Sequence, residues 1–174
     1  MSIKNFYSDV CSASKSQNVI VNIKWFICNH TLHMLFLIRL GGSLSKTPLI
    51  GRVFSLIIEY IIRILFSSDI SLKAKFGKGL VIAHGHDIVI GADVILGDNC
   101  KIFNGVTLGN RDTEKSSKGN QPRVGHNVLI STGAKILGPV IIGNNVKIGA
   151  NSVVLKNCTE NGTYVGVPAT RLLK

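Results

Sequence analysis

"VGHNVLISTGAKILGPVIIGNNVKIGANSVV", Val124 to Val154, is the stretch whose reading decides the fold. Aliphatic residues recur in it at one spacing, Val124, Ile130, Ile136, Ile142, Ile148 and Val154, each six positions after the last. A second small or aliphatic series, Val128, Ala134, Val140 and Val146, keeps the same step. A six-residue period is not that of an α-helix and is too regular for a sheet of hairpins. It fits a hexapeptide parallel β-helix, in which each hexad supplies a short strand and a turn and the repeated aliphatic points into a shared core.

Upstream the same phase returns as Ile90, Leu96, Ile102 and Leu108, and earlier as Ile70, Phe76 and Ile82. Two steps are long. Ile82 to Ile90 spans eight positions, across "HGHD", and Leu108 to Val124 spans sixteen, across the polar "GNRDTEKSSKGNQPR" (Gly109 to Arg123). At such places a solenoid chain leaves the coil, and sites on repeat proteins gather there.

Residues Asn18 to Ser67 follow another rule. They are rich in Ile, Leu and Phe and predict two helices parted by "LGGSLSKTP" (Leu40 to Pro48). Neither has the ~20 clean apolar residues of a membrane span. In the second, Arg52, Glu59 and Arg63 fall on one stripe, leaving a wide apolar remainder that a subunit neighbour, the coil or a lipid surface must cover. His30 and His33, three apart, read as helix-surface residues, since no third metal ligand is near. The expected organisation is a helical segment over 1–68, a β-helix over 69–159 with its extruded loop at 109–123, and a tail over 160–174.

The 174 residues, 45% of them apolar, suffice for a folded core. Four dispersed cysteines without a C-x-x-C pair argue against a zinc knuckle or a secreted disulfide framework, and the N-terminus lacks the apolar core of an export signal. A cytoplasmic location is expected, with the helices able to make peripheral contact at the inner face of the membrane. The net charge of +11 is spread along the chain without a basic run, so a nucleic-acid partner is not expected.

The ordered series "DISLKAKFGKGLVIAHG", "VTLG", "STGAKILGPVIIGNNVKIGANSVV" and "GVPA" resembles the hexapeptide-repeat acyltransferases, in their serine acetyltransferase-like branch. The resemblance runs from about Asp69 to Leu173. It implies a mainly β chain, a left-handed parallel β-helix behind a short helical segment. It further implies a homotrimer with sites between subunits, acetyl-CoA as donor, an acceptor hydroxyl and no metal. Carried across, the family's general base falls on His84 and its orienting aspartate on Asp69. The chemistry is sensible, because an imidazole takes the proton of an attacking alcohol while a carboxylate fixes its tautomer. For the donor, the resemblance implies a path along "STGAK", "KIGAN" and "GVPATR". That path puts Gly133, Ala134, Gly149 and Ala150 beside the pantetheine arm and Lys147 or Arg171 at the phosphates.

The acceptor side departs from the enzymes that acetylate serine. Where those have an acidic residue before the base and an Arg-His pair before the loop-closing proline, this chain has Ala83, Asn120 and Gln121. Losing several charge-assisted contacts, each worth about 1.5–3 kcal/mol, weakens the grip on a zwitterion. His86 reads equally as an acceptor contact or a turn residue. With the short helical segment, these departures look like the O-acetyltransferases of surface-polysaccharide assembly, and lead to the expectation of a saccharide acceptor. Serine O-acetylation is the alternative within the class. A γ-type zinc carbonic anhydrase is the alternative outside it, for which His84, His86 and His126 lack the usual spacing.

Overall fold

A computed structural model describes residues 3–173. The hexads close into a coil with three walls of parallel strands, most only two residues long, one side chain facing in and its neighbour out. Wall A stacks Ile70, Ile90, Leu108, Ile136 and Val154; wall B stacks Phe76, Leu96, Val124 and Ile142; wall C stacks Ile82, Ile102, Ile130, Ile148 and Tyr164. All fourteen are at most 7% exposed. Each such aliphatic contributes about 1.5–3 kcal/mol of transfer free energy, and no strand of two residues is stable without its neighbours above and below.

Two of the three corners need a left-handed backbone. Between walls B and C stand Gly79, Asn99, Asn127, Asn145 and Asn161, and between C and A stand Ser67, Asp87, Gly105, Gly133 and Asn151, all at positive φ. Asparagine tolerates this region because its short amide finds local partners. Here the partners are other asparagines: Asn127 Nδ2 donates to Asn145 Oδ1 at 3.1 Å, and Asn145 Nδ2 to Asn161 Oδ1 at 3.0 Å. His126, Asn144 and Glu160 make a second ladder along the same edge, in which His126 Nδ1 accepts from the Asp98 amide at 3.0 Å.

The eight- and sixteen-residue steps are excursions, as their spacing predicts. A third irregularity has the opposite sign. From Val154 to Cys158 the step is four, and Cys158 completes wall B through a bridge to Ile142. Thr163–Val165 then adds a rung to wall C, and Thr170–Arg171 turns back antiparallel against it. The last rung therefore lies within 160–174, the span read from sequence as a tail.

The N-terminal segment holds more helices than its composition predicts: α1 (Phe6–Ser14), α2 (Val19–Cys28), α3 (His30–Leu44) and α4 (Ile50–Phe66). Asn18 and Asn29 start α2 and α3, their side-chain oxygens accepting from the amides of Ile20 and Thr31. The break expected over Leu40–Pro48 falls in its second half, since α3 ends at Leu44 and α4 begins at Ile50. Gly41 and Gly42 continue α3, and a Cβ at Gly41 would run into the Leu72 side chain, so Gly41 serves the close approach of helix to coil.

A fully buried ion pair locks this layer to the coil. Arg39 of α3 donates to both oxygens of Asp9 of α1, at 2.8 and 2.9 Å, and also to the carbonyls of Phe76 and Gly77, at 2.9 and 2.5 Å. Asp9 Oδ1 in turn accepts from the Leu80 amide at 2.9 Å. Burial pushes the Asp9 carboxyl above its ordinary pKa, against the opposing pull of Arg39. Helix α4 lies on the first coil by a narrow stripe, Gly51, Ser55, Ile58, Ile62 and Phe66. Of the predicted charged stripe, Glu59 accepts from the Leu72 amide at 2.7 Å, and Arg63 pairs with Asp69.

Candidate active site

The two extra residues of "HGHD" make a kink between Ala83, the last residue of a wall C strand, and Asp87 at the corner. Within 69–165, His84 (φ 55°) is the one non-glycine residue at positive φ that belongs to neither corner series. Backbone in that region costs a non-glycine residue about 1–3 kcal/mol and persists where surrounding structure enforces it. The enforcement is visible. Gly85 is pressed inward on α3, where an added Cβ would lie 2.9 Å from Met34 Sδ. The Asp87 amide donates to Ser67 O and the Gly105 amide to His86 O. With Gly85 pinned, the His84 imidazole turns outward and is exposed, its ring 6.3 Å from that of Phe103. The helical layer thus builds the kink that displays the histidine.

His84 opens into a groove of about 500 Å³ between that layer and wall C. Lys15, Trp25, His30 and Thr31 line it from the helices, and Ala83 and Lys101 from the coil. Lys101 Nζ sits 4.9 Å above the Phe103 ring. The lining holds two ammonium groups and no carboxylate. His86 is exposed beyond Gly85 and does not line the groove.

Asp69 lies across the corner, on the outer face of wall A. Arg63 Nη2 donates to its Oδ1 at 2.7 Å, both side chains more than half exposed, and among the described residues no hydrogen bond joins Asp69 to His84. The expected dyad is therefore not assembled in the single chain. An exposed pair such as Arg63–Asp69 is weakened by solvent and salt and is readily exchanged.

The donor-side residues divide. Lys147, Gly149 and Ala150 follow one another on wall C and its corner, and Arg171 lies on the adjoining antiparallel strand. Gly133 stands at the same corner one coil earlier, at φ 71°. Ala134 is fully buried, its side chain pointing into the coil with Val128, Val140 and Val146, so only its backbone can meet a ligand.

The loop residues require a correction. Gln121 is buried, its Oε1 accepting from the Asp93 amide at 2.7 Å and its amide covering Gly91, so it clamps the end of the loop. Asn120 donates to Ser116 O and Lys118 O within the loop and lines a cleft with Arg111 and Lys115. What the sequence reading missed is that these amides are occupied by the fold.

Comparison with known proteins gives the site its context. Residues 121–156 match the family model described as bacterial transferase hexapeptide (six repeats). Over 142 residues the chain is 40% identical to serine acetyltransferase of Synechococcus elongatus, covering 82% of this chain and 53% of that one. Soybean serine acetyltransferase superposes with a TM-score of 0.86 at 30% identity, covering 98% of this chain and 69% of that one. The chain belongs to the serine acetyltransferase family. A serine acetyltransferase solved in complex with CoA superposes on this chain with a TM-score of 0.83 at 30% identity, over 97% of this chain and 68% of that one. The chain spans about half the length of the curated relatives it matches.

Family membership settles the fold as a left-handed parallel β-helix behind N-terminal helices, as expected from the sequence. It overturns the expectation of a saccharide acceptor, because the relatives at 40–46% identity are serine acetyltransferases. The physical reason for the error lies in the loop. Gln121 and Asn120 are neutral amides because they brace the loop, so their neutrality says nothing about the charge of the acceptor.

Proposed function

We propose that this protein transfers acetyl from acetyl-CoA to the hydroxyl of L-serine, with His84 as general base. The observation that carries the reading is His84 itself, an exposed imidazole held in an off-series left-handed kink at the mouth of a cationic groove, in a chain of this family. The acceptor hydroxyl places its proton on the imidazole as its oxygen forms a bond to the acetyl carbonyl carbon; the thiol leaves and recovers a proton. Asp69, once released by Arg63, orients the imidazole through its other nitrogen.

With Ala83 in place of a carboxylate and Gln121 used by the fold, the amino acid needs another grip. Lys15 and Lys101 supply it for the carboxylate, since both line the groove of His84 and no acidic side chain competes for them there. Lys101→Met is expected to raise the KM for L-serine with little change in kcat.

The residues fit acetyl-CoA along the C–A corner. From His84 the corner passes Gly105, Gly133 and Ala150, three coil steps of about 4.8 Å each, with small side chains on the path and Lys147 and Arg171 at its far end. Acetyl-CoA supplies the activated acetyl group; Gly133, Gly149 and Ala150 admit its arm, and Lys147 and Arg171 face its phosphates. We infer that the working form is a homotrimer, because this corner is open to solvent in one chain and a neighbour's wall would close it. The deciding experiment follows CoA release with L-serine as sole acceptor. Serine-dependent release that His84→Ala abolishes supports the reading; absence of release with serine, in a protein shown to bind CoA, overturns it.

A further inference from the structure

The helical layer carries an apolar surface that the fold leaves open. Successive helical residues sit about 100° apart, so α4 divides into three arcs. Gly51, Ser55, Ile58, Ile62 and Phe66 form the buried arc on the coil, and Glu59, Arg52 and Arg63 form one edge. The remaining arc, roughly half the circumference, runs from Leu56 through Tyr60, Ile64, Ile57 and Ile50 to Leu65. Every one of these is between 47% and 69% exposed. Helix α2 repeats the pattern with Ile20, Ile23 and Ile27 on one face, 78%, 55% and 67% exposed.

Charge decides what covers this surface. Among residues 3–68 the carboxylates are Asp9, buried on Arg39, and Glu59, half-buried and tied to Leu72. Lys15, Lys24, Lys46 and Arg52 are all exposed. The outer surface of the layer is thus apolar side chains with a rim of cations and no freely exposed carboxylate. Against a second copy of itself such a rim meets its own sign, which opposes association. Against an anionic bilayer the same rim is attractive and the apolar side chains enter the headgroup–acyl boundary. No helix is long and apolar enough to cross a membrane among the described residues, so the helices would lie along the surface.

We propose that the exposed faces of α2 and α4 dock the protein on an anionic lipid surface as a peripheral, in-plane contact. The proposal is independent of the acceptor, since Trp25 and Cys28 are the only residues of α2 and α4 that line the His84 groove among the described residues, and neither is changed in the test below. The test is sedimentation of the full chain with vesicles of phosphatidylcholine alone and of phosphatidylcholine with phosphatidylglycerol. Anionic vesicles are expected to take up the protein about tenfold or more better than neutral ones, and added salt to reverse this. Ile57→Asp with Ile64→Asp is expected to lower the uptake by about tenfold or more. Both positions are exposed, so the variant is expected to keep its helix content by circular dichroism and its rate on a soluble acceptor. Lys24→Glu with Arg52→Glu is expected to lower uptake by anionic vesicles alone. Failure of the wild-type protein to pellet with anionic vesicles overturns the proposal. So does uptake that neither variant changes, or light scattering in which wild type self-associates without lipid and the Ile57→Asp, Ile64→Asp variant does not.

Discussion

The coil and the helical layer bury apolar residues under different rules. In the coil two residues of each hexad point inward, the strand neighbour points out, and two of the corners are closed largely by left-handed glycines and asparagines. Its hydrophobicity is local, repeated and satisfied within the chain. In the layer, α4 buries five residues along one stripe, leaves about half its circumference exposed and meets the coil through Glu59 and Arg63, while the buried pair Arg39–Asp9 ties α3 and α1 to it. A repeat therefore announces its own core, whereas an amphipathic layer announces only that some surface will cover it. The candidate site lies where the two rules meet: the coil supplies His84, and α3, through Met34 beneath Gly85, fixes its backbone.

The largest effect should come from that meeting point. His84→Ala is expected to lower acetyl transfer by about 10²–10⁴ while thermal unfolding stays near wild type, because the ring is exposed and adds little to the core. Near-normal turnover would detach the kink from the chemistry. Asp69→Asn should lower kcat more than it raises KM, if that carboxylate acts on the charge formed at His84.

Next in size is the lock between the regions. Arg39→Ala leaves Asp9 buried without its partner and strips donors from the carbonyls of Phe76 and Gly77, so a loss of about 3–5 kcal/mol is expected in denaturant unfolding. The double change Asp9→Leu, Arg39→Met should recover much of it, since a well-packed apolar pair avoids the desolvation cost. A single change costing under ~1 kcal/mol would show that the layer is held by α4 alone.

Much of the coil was legible in the sequence because its signal is one-dimensional. The hexads set the three walls, and the eight- and sixteen-residue steps located the kink and the loop. The inward set also contained the direction of the Ala134 side chain, which recurs at spacing six with Val128, Val140 and Val146 and so faces the core. What escaped depends on contacts between distant residues. Asp9 and Arg39 lie thirty positions apart in different helices. Gln121 is committed by Asp93, twenty-eight positions earlier, and Asp69 by Arg63 on a helix of another region. The acceptor was misread for this reason, because a neutral amide in a loop looks like specificity until its partner is seen.

Within the coil, the thiols test how dry the interior is. Burial pushes Cys158 up to about 11 from 9.0, and Cys100 upward as well. The folded chain then keeps a proton that the unfolded chain has released. This stabilisation is complete below pH 9 and is lost as the pH rises through 11, an expected decline of about 2–3 kcal/mol for Cys158. Cys158→Ala should flatten the decline between pH 9 and 11 without removing the part due to Cys100; an unchanged slope would mean that water reaches wall B.

The smallest effect concerns the corners, and it asks whether the coil is as uniform as its period. Asn145 stands at φ 57° in the middle of the B–C ladder, accepting from Asn127 and donating to Asn161. Asn145→Ala keeps the strained backbone and removes both amide contacts. A left-handed alanine is disfavoured by about 1–2 kcal/mol, part of which asparagine already bears, so a net loss of about 1 kcal/mol is expected. Asn145→Gly removes the same contacts but relieves the backbone, and should fall near wild type. The pair separates two contributions that a repeat normally hides: if alanine and glycine cost the same, the ladder holds the corner, and if only alanine is costly, the left-handed backbone does. The same pair at Asn161, beside the shortened step from Val154 to Cys158, should give a smaller difference, because a terminal rung has a neighbour on one side only.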